Sequence, residues 1–266
     1  MKKNISIIGT GNLGRSIAEG IVAKNLTRPN QITLTKRDIS TISDLENRGY
    51  NLTQSNLNAA KSADVILLCV QPNQVAEVLV EIKELLDDSK LLISVVTGVS
   101  TKELTSLLGN KLPVVRAMPN TAISIGESMT CISSPDQEGV EIAKSLFDAL
   151  GKTLIIDEKL MQAATVLGAS GIAFFMRYLR AATQGGIQMG FDAADAQMIA
   201  MQTAKGAASL VLENESHPEV EIDKVTTPQG CTIEGLNEME HKGFSSALIQ
   251  GIMTSFLRIT KMKSKE

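Results

Sequence analysis

A chain of 266 residues is long enough for one large domain or two moderate ones, each with its own apolar core. An apolar content of 43% and a charged content of 21% are typical of a globular protein and exclude a disordered one. The formal net charge of −3, the lack of a basic run and an aromatic content of 3% argue against nucleic acid as a partner.

Cysteine and histidine are scarce. Cys69, Cys131 and Cys231 are scattered and odd in number, which favours a reducing compartment over a disulfide framework. His217 and His241 are too few for a histidine-rich metal site, so we expect no metal. No apolar run approaches the roughly 18 residues that span a bilayer. We therefore expect a cytoplasmic protein with no membrane segment.

Strand and helix signals alternate over the first part of the chain, where short apolar runs predict strands and amphipathic periodicity predicts helices. The predicted strands cover residues 4–8, 31–35, 65–70, 91–96, 114–115, 128–132 and 153–156. The predicted helices begin after Asn12, cover residues 75–86, open at the capping box Ser100–Glu103, and cover about 135–150. This alternation predicts a parallel, helix-covered sheet.

Strand signals almost disappear from Glu158 onward. Helical segments rich in Ala, Gly and Met cover residues 161–189, 192–213, 233–241 and 245–261. We predict an α/β Rossmann-type doubly wound sheet over 1–157, followed by an all-α domain over 158–266. Glycine in a helix costs up to about 1 kcal/mol relative to alanine. The many small residues between 168 and 186 therefore indicate close helix packing or a bend, and we interpret this half as a dimerisation domain rather than a plain bundle.

A glycine-rich turn, Gly9-Thr10-Gly11-Asn12-Leu13-Gly14, follows the first predicted strand and opens the first predicted helix. That context is the one the dinucleotide fingerprint requires. Gly9 permits the tight turn, Gly11 lets the backbone approach a pyrophosphate, and Gly14 allows the helix to pack closely on the strand. The sequence therefore predicts a nicotinamide cofactor at this turn.

The end of the second predicted strand should meet the adenosine ribose. Thr35, Lys36 and Arg37 supply a hydroxyl and two cations, which suit the 2′-phosphate of NADP. The alternative is that the two cations are solvated and that Asp38 binds the ribose of NAD. NADPH is favoured, and NADH stays possible.

Two more loops lie where predicted strands end. They are Val70-Gln71-Pro72 and Met118-Pro119-Asn120, and ligands bind at this carboxyl edge in open α/β sheets. Each loop alone is also consistent with an ordinary strand-end turn.

The stretch Thr226–Thr232 runs from hydroxyls and Pro228 through Gly230 into a helix signal. A turn at a helix start points backbone N–H groups at one spot and adds positive partial charge. Because the glycine turn already accounts for the pyrophosphate, we expect this loop to hold a substrate carboxylate.

Together, the glycine turn, Ala63–Pro72, Arg116–Thr121 and Thr226–Thr232 resemble the motif set of pyrroline-5-carboxylate reductases, in the right order over nearly the whole chain. The resemblance implies hydride transfer from NAD(P)H to the C=N carbon of 1-pyrroline-5-carboxylate, which gives L-proline. It also implies a homodimer, with higher assemblies in the family.

The resemblance also implies residue roles. Those on the cofactor side are Gly9, Gly11 and Gly14 for pyrophosphate, Thr35, Lys36 and Arg37 at the ribose, Asn56 on the adenosine side, and Met118, Pro119 and Asn120 beside the nicotinamide. Those on the substrate side are Thr227, Gly230, Cys231 and Thr232 at the carboxylate, Thr232 also near the ring nitrogen as the catalytic hydroxyl, and Glu215 near the pocket.

The chain departs from the family pattern at several positions. Gln71 replaces a usual Lys, Ile172 a usual Pro, Arg177 or Arg180 a helical Glu, and Cys231 a usual Thr or Ala. These changes keep two alternatives open, which are a related imine or β-hydroxyacid-type reductase of another substrate and a non-catalytic dinucleotide-binding regulator.

Overall fold

The computed structural model describes residues 3–109 and 112–263, apart from the side chains of residues 261–263. Residues 1–2, 110–111 and 264–266, which the predicted domain ranges include, lie outside the described residues. Contacts divide the chain into two compact units, Met1–Ser170 with Arg258–Glu266 and Gly171–Leu257. The predicted boundary between residues 157 and 158 stays a prediction.

The first unit is built on a sheet with the strand order β3-β2-β1-β4-β5-β6-β7-β8. The strands are β1 Ile5–Ile8, β2 Ile32–Thr35, β3 Asn51–Thr53, β4 Val65–Leu68, β5 Leu91–Ser94, β6 Val114–Met118, β7 Ser128–Ser133 and β8 Gly151–Ile155. The helices of this unit are α1 Asn12–Ala23, α2 Ser43–Asn47, α3 Asn56–Ser62, α4 Val75–Ile82, α5 Thr101–Leu108, α6 Gln137–Asp148 and α7 Met161–Ala164. The predicted doubly wound α/β fold is confirmed.

Apolar side chains cover both faces of the sheet. Along β1, Ile5 and Ile7 belong to one buried cluster, whereas Ile8 belongs to the cluster on the opposite face. The neighbouring strand repeats this alternation, with Leu67 in the first cluster and Ile66 in the second. A strand buried on both faces must be apolar throughout, which explains the continuous apolar runs in the sequence.

The expectation of a fully parallel sheet is wrong at one pair, because β6 and β7 are antiparallel. Only residues 119–127 connect them, with a 3₁₀ turn at Thr121–Ile125. A parallel crossover needs a dozen or more residues, so a link this short returns the chain antiparallel. The predicted helix over 75–86 is also too long, since α4 ends at Ile82 and a 3₁₀ turn follows.

The second unit is helical. Its helices are α8 Gly171–Gln188, α9 Ala193–Asn214, α10 Pro218–Val225, α11 Cys231–His241 and α12 Phe244–Lys263, of which the last extends into the first unit. A Cβ on Gly186 would lie 2.8 Å from that of Ala196, so the small residues there let α8 and α9 pack closely, as predicted. No helix was predicted from the sequence at the position of α10.

One helical stretch of the described residues, Glu158–Gln188, is long and apolar enough to cross a membrane by length and composition. Its most apolar window has a mean hydropathy of 1.3, and 17% of that window is buried. The sequence-based expectation of no apolar run of this length missed this stretch. Ala, Met and scattered larger apolar residues raise its average hydropathy, although polar residues and glycines interrupt the apolar run. Exposed apolar side chains continue along the following helices, including Met189, Met198 and Leu212.

Candidate active site

The carboxyl ends of five parallel strands meet at one edge of the sheet. The register pairs Ile8 with Thr35 and with Leu68, and pairs Ser94 with Leu68 and with Arg116. The glycine turn and the loops after β2, β4 and β6 therefore begin side by side. The structure thus brings together at this edge the loops that the sequence assigned to the cofactor.

The glycine turn is held by close backbone packing. Gly9 has a φ of +96°, and a Cβ there would lie 2.7 Å from the carbonyl oxygen of Cys69 and 2.9 Å from Cγ1 of Val70. A Cβ on Gly14 would lie 2.5 Å from the carbonyl oxygen of Gly9. Only glycine fits either position, so the turn needs both for its own shape.

Gly11 differs from these two glycines because a Cβ there would meet nothing within 4 Å. It is the N-cap of α1, and no side chain caps that helix start. Among the neighbouring residues, Asn12 is exposed and Leu13 packs partly against the core. The first amides of α1 therefore border open space, which is the arrangement that a pyrophosphate requires.

Thr35 ends β2 and is 2% exposed. Its Oγ1 accepts a hydrogen bond from the amide of Gly9 at 3.3 Å and donates one to Oδ1 of Asn56 at 2.9 Å. The hydroxyl that we expected to contact a 2′-phosphate is thus already bonded within the protein.

Lys36 and Arg37 follow β2 and are half-buried and exposed, respectively. Asp38 instead caps the 3₁₀ turn at Ile39–Ile42, where its Oδ1 accepts from the amide of Ser40 at 3.1 Å. Hydrogen bonds from the hydroxyl and amide of Ser40 hold the pKa of Asp38 below its usual value. Because Asp38 is used as a cap, Lys36 and Arg37 are the charged side chains after β2 that are best suited to bind an anionic ligand.

The loop after β4 supports the glycine turn from the side. Val70 is half-buried against the core and approaches Gly9, while Gln71 and Pro72 are exposed. Pro72 opens a 3₁₀ turn, and the amide of Gln71 donates to Oε1 of Gln74 at 3.1 Å. This turn and this hydrogen bond hold the exposed Gln71 and Pro72 at the edge of the sheet.

The loop after β6 is buried at Met118, Pro119 and Asn120. All polar groups of the Asn120 side chain have partners, because Oδ1 accepts from the amide of Ala122 at 3.0 Å and Nδ2 donates to the carbonyl oxygen of Gly168 at 3.1 Å. Gly168 belongs to a single π-helical turn, Thr165–Ser170. Such turns often occur at functional sites, and this one lies beside the expected nicotinamide loop.

An ion pair between the buried Arg116 and the partly exposed Glu158 connects β6 to the 3₁₀ turn Glu158–Leu160, which precedes α7. Nη1 of Arg116 lies 3.0 Å from Oε1 of Glu158, which also accepts from the amide of Thr101 at 2.7 Å. Burial would raise the pKa of Glu158, but the bonds from Thr101 and Arg116 outweigh it and lower that pKa. The Glu158 carboxylate therefore stays charged beside Arg116.

The sequence interpretation missed Thr97 and Gly98, which follow β5 at the same edge. The Thr97 hydroxyl lies 4.0 Å from Sδ of Met118, and Gly98 has a φ of +87°. Since β5 lies between β4 and β6, the reasoning that selected the loops after those strands also applies to this one.

The loop Thr226–Thr232 belongs to the second unit. The amide of Gly230 donates to the carbonyl oxygen of Thr227 at 2.9 Å, and Gln229 adopts a φ of +58°. Gly230 is the N-cap of α11 with no side-chain cap, and Cys231 and Thr232 in its first turn are exposed. The loop has the open helix start that we expected of an anion site.

The remaining singled-out residues have plainer roles or positions. Glu215 ends α9 with a φ of +48° and is exposed, separated along the chain from the loop by α10. His217 caps α10, as Nδ1 accepts from the amide of Glu219 at 3.2 Å. Burial raises the pKa of Cys69 to about 12, which makes this thiol unreactive. The described residues contain no group of three or more metal-ligating side chains.

Two family models match this chain. Residues 158–262 match the model described as pyrroline-5-carboxylate reductase dimerisation. Residues 4–98 match the model described as NADP oxidoreductase, coenzyme F420-dependent.

Curated relatives match nearly the whole length of this chain. It is 49% identical to pyrroline-5-carboxylate reductase 1 of Dictyostelium discoideum over 94% of its own length, but it spans only 48% of that protein. It is 44% identical to pyrroline-5-carboxylate reductase 2 of the same organism, over 98% of this chain and 94% of that one.

Solved structures agree. A pyrroline-5-carboxylate reductase of Coxiella burnetii has a TM-score of 0.91 at 30% identity, with 98% of each chain covered. The Plasmodium falciparum pyrroline carboxylate reductase, solved with NADP bound, has the same fold, with a TM-score of 0.89 at 24% identity and 98% of each chain covered.

Proposed function

This chain belongs to the pyrroline-5-carboxylate reductase family, and we propose that it transfers a hydride from NADPH to the C=N carbon of 1-pyrroline-5-carboxylate, forming L-proline. It is an NAD(P)H-dependent oxidoreductase with NADP(H) as its cofactor. The observation that carries the proposal is the relative that is 44% identical and matches 98% of this chain.

We propose that the Rossmann domain comprises residues 1–157 and the helical domain residues 158–266. The start of the dimerisation match at residue 158 supports this division. The helical part forms a homodimer. The exposed apolar side chains along residues 158–260 support a second copy of this chain, rather than a bilayer, as the cover for the apolar helix.

The cofactor site is assigned to the loops at the carboxyl edge. The amides of Asn12 and Leu13 hold the pyrophosphate, and Gly11, whose own amide donates to the Gly9 carbonyl oxygen at 3.0 Å, leaves the space beside them open. Gly9, Thr10, Gly14 and Val70 shape the turn, with Thr10 buried within it. The other residues of this site are Thr35, Lys36, Arg37 and Asn56 at the adenosine end, and Gln71, Pro72, Met118, Pro119 and Asn120 toward the nicotinamide.

The substrate site is assigned to the loop before α11. The amides of Cys231 and Thr232 and the Thr227 hydroxyl bind the carboxylate, and Gly230, whose own amide donates to the Thr227 carbonyl oxygen, shapes the loop around it. Glu215 contributes an acidic group near the pocket. The helix-start amides and dipole of α11 favour an anion there. Thr232 is the proposed catalytic hydroxyl, hydrogen-bonded to the ring nitrogen or to a water that serves it.

The chemistry needs no nucleophile and no metal from the protein. When bound, NADPH supplies the hydride, and an iminium accepts it more readily than a neutral imine. The protein must hold the two reacting carbons about 3–3.5 Å apart. The Thr232 hydroxyl then accepts a hydrogen bond from the proton on the new amine nitrogen. It does so without taking part in binding the substrate carboxylate.

The direct test follows NADPH oxidation after adding the imine to purified protein. We expect turnover with 1-pyrroline-5-carboxylate and at least about a hundredfold lower kcat/KM with 1-pyrroline, which lacks the carboxylate. No turnover by folded protein with either nicotinamide cofactor would rule out the reductase and favour the regulator.

A second candidate is reduction of a different cyclic or open imine. The departures at Gln71, Ile172 and Arg177 favour it, because they alter the loop after β4 and the residues after the π turn. A panel of imines and β-hydroxyacids distinguishes the candidates. A higher kcat/KM for any substrate other than 1-pyrroline-5-carboxylate would establish the second candidate.

We also propose a cytoplasmic location, possible assembly of the dimers into higher oligomers, and no nucleic-acid partner. The scattered thiols and the net charge of −3 support the first and the last. Light scattering of the purified protein measures the assembly: a dimer mass or a multiple of it agrees with the proposal, whereas a monomer contradicts it.

A further inference from the structure

Four residues form a chain of hydrogen bonds that ends at the glycine turn. Oε2 of Glu81 accepts from Nδ2 of Asn56 at 2.8 Å, and Oδ1 of Asn56 accepts from the Thr35 hydroxyl at 2.9 Å. Oγ1 of Thr35 in turn accepts from the amide of Gly9 at 3.3 Å. The chain connects α4, α3, β2 and the turn after β1, all within the first unit.

Glu81 sets which group donates and which accepts in each of these hydrogen bonds. A carboxylate only accepts hydrogen bonds, so the Asn56 side chain must present its NH₂ group to Glu81 and its oxygen to Thr35. The Thr35 hydroxyl must then donate to Asn56, which leaves its lone pairs for the Gly9 amide. Without the carboxylate the Asn56 amide is free to rotate by half a turn, and its NH₂ group would compete with Gly9 for the Thr35 oxygen.

We propose that Glu81 is a positioning residue for the adenosine end of the cofactor. It fixes the orientation of the Asn56 amide and, through Thr35, the Gly9 peptide that begins the glycine turn. Thr35 is accordingly an internal link rather than a phosphate ligand, and Lys36 and Arg37 supply the contacts to the 2′-phosphate. This inference rests on the proposed cofactor placement, but not on the identity of the imine.

The test measures binding of 2′,5′-ADP, the adenosine end of NADP alone, by titration calorimetry without turnover. Because the Glu81–Asn56 bond is exposed, we expect Glu81→Ala to weaken binding by a modest factor, roughly fivefold. Glu81→Gln should recover part of the loss, since its amide oxygen still accepts from Asn56. Glu77→Ala is the matched control, because it removes a carboxylate one turn earlier on α4 and leaves the Glu81–Asn56 bond in place.

A double-mutant cycle with Asn56→Ala distinguishes positioning through Asn56 from a direct electrostatic effect of the Glu81 charge on the ligand. If Glu81 acts through Asn56, Glu81→Ala causes no further loss in the Asn56→Ala background. Additive losses, or wild-type affinity in Glu81→Ala, overturn the inference. A wild-type protein that does not bind 2′,5′-ADP contradicts the cofactor placement itself, and the inference with it.

Discussion

Gly9 and Gly11 of the dinucleotide turn have different tasks, and alanine substitution should separate them. Gly9→Ala places a methyl group 2.7 Å from the Cys69 carbonyl oxygen at a φ of +96°. Backbone strain of about 1–3 kcal/mol and overpacking of about 1–3 kcal/mol together give a loss of roughly 3 kcal/mol or more in the free energy of unfolding. Gly11→Ala meets nothing within 4 Å at a φ of −84°, and should cost no more than about 1 kcal/mol as a poorer N-cap.

Gly11→Ala, which should cost little stability, should nevertheless weaken binding of the cofactor. The Gly11→Ala methyl group enters the space where the pyrophosphate approaches the backbone, so we expect NADP affinity to fall at least about tenfold in a stable protein. Urea unfolding without cofactor, at one fixed protein concentration because the chain dimerises, gives the stabilities, and calorimetric titration gives the affinities. Wild-type NADP affinity in Gly11→Ala, or equal destabilisation by the two substitutions, would refute the reasoning.

Substitutions at three more positions test other parts of the site. Glu158→Gln should lower the free energy of unfolding at pH 7 by roughly 2 kcal/mol, since it leaves the buried Arg116 without its counter-ion at a partly exposed pair. Because the folded-state pKa of Glu158 is lowered, its stabilisation is complete above its ordinary value of 4.5 and is lost as the pH falls through the folded value. The difference from wild type in urea unfolding should therefore shrink in acid, and a constant difference would contradict this origin. Asn120→Asp should lower kcat about tenfold, because the carboxylate cannot donate to the Gly168 carbonyl oxygen; an unchanged kcat would show that this anchor is dispensable. Thr232→Val should lower kcat about a hundredfold and Thr232→Ser should retain most activity, and equal rates in the two variants would exclude a role for the hydroxyl.

Local patterns were enough to predict much of the fold. The apolar runs predicted most of the sheet, and the glycine turn lies where the fingerprint placed it, between β1 and α1. The capping box at Ser100 and Glu103 is present at the start of α5. These features depend on residues close together in sequence, which is why one sequence suffices to find them.

The missed features depend on contacts between distant residues or on weak local signals. The short strand β3 and the helix α10 carry little apolar periodicity, so packing rather than pattern decides them. The hydrogen bonds of Thr35 could not be predicted because its partners lie on other elements, and a sequence places a residue at a strand end without showing what it bonds. The π turn at Thr165–Ser170 has no local signature either. In contrast, the antiparallel β6–β7 pair was predictable from the length of its connection.

Isotope transfer is the measurement that tests the proposed reaction most directly. NADPH in which both hydrogens at C4 of the nicotinamide ring are replaced by deuterium is incubated with 1-pyrroline-5-carboxylate and the protein, and the product is analysed by NMR and mass spectrometry. We predict L-proline with one deuterium on the ring carbon that was double-bonded to nitrogen. Proline without deuterium, or oxidised cofactor with no labelled proline, would contradict direct hydride transfer to the C=N carbon.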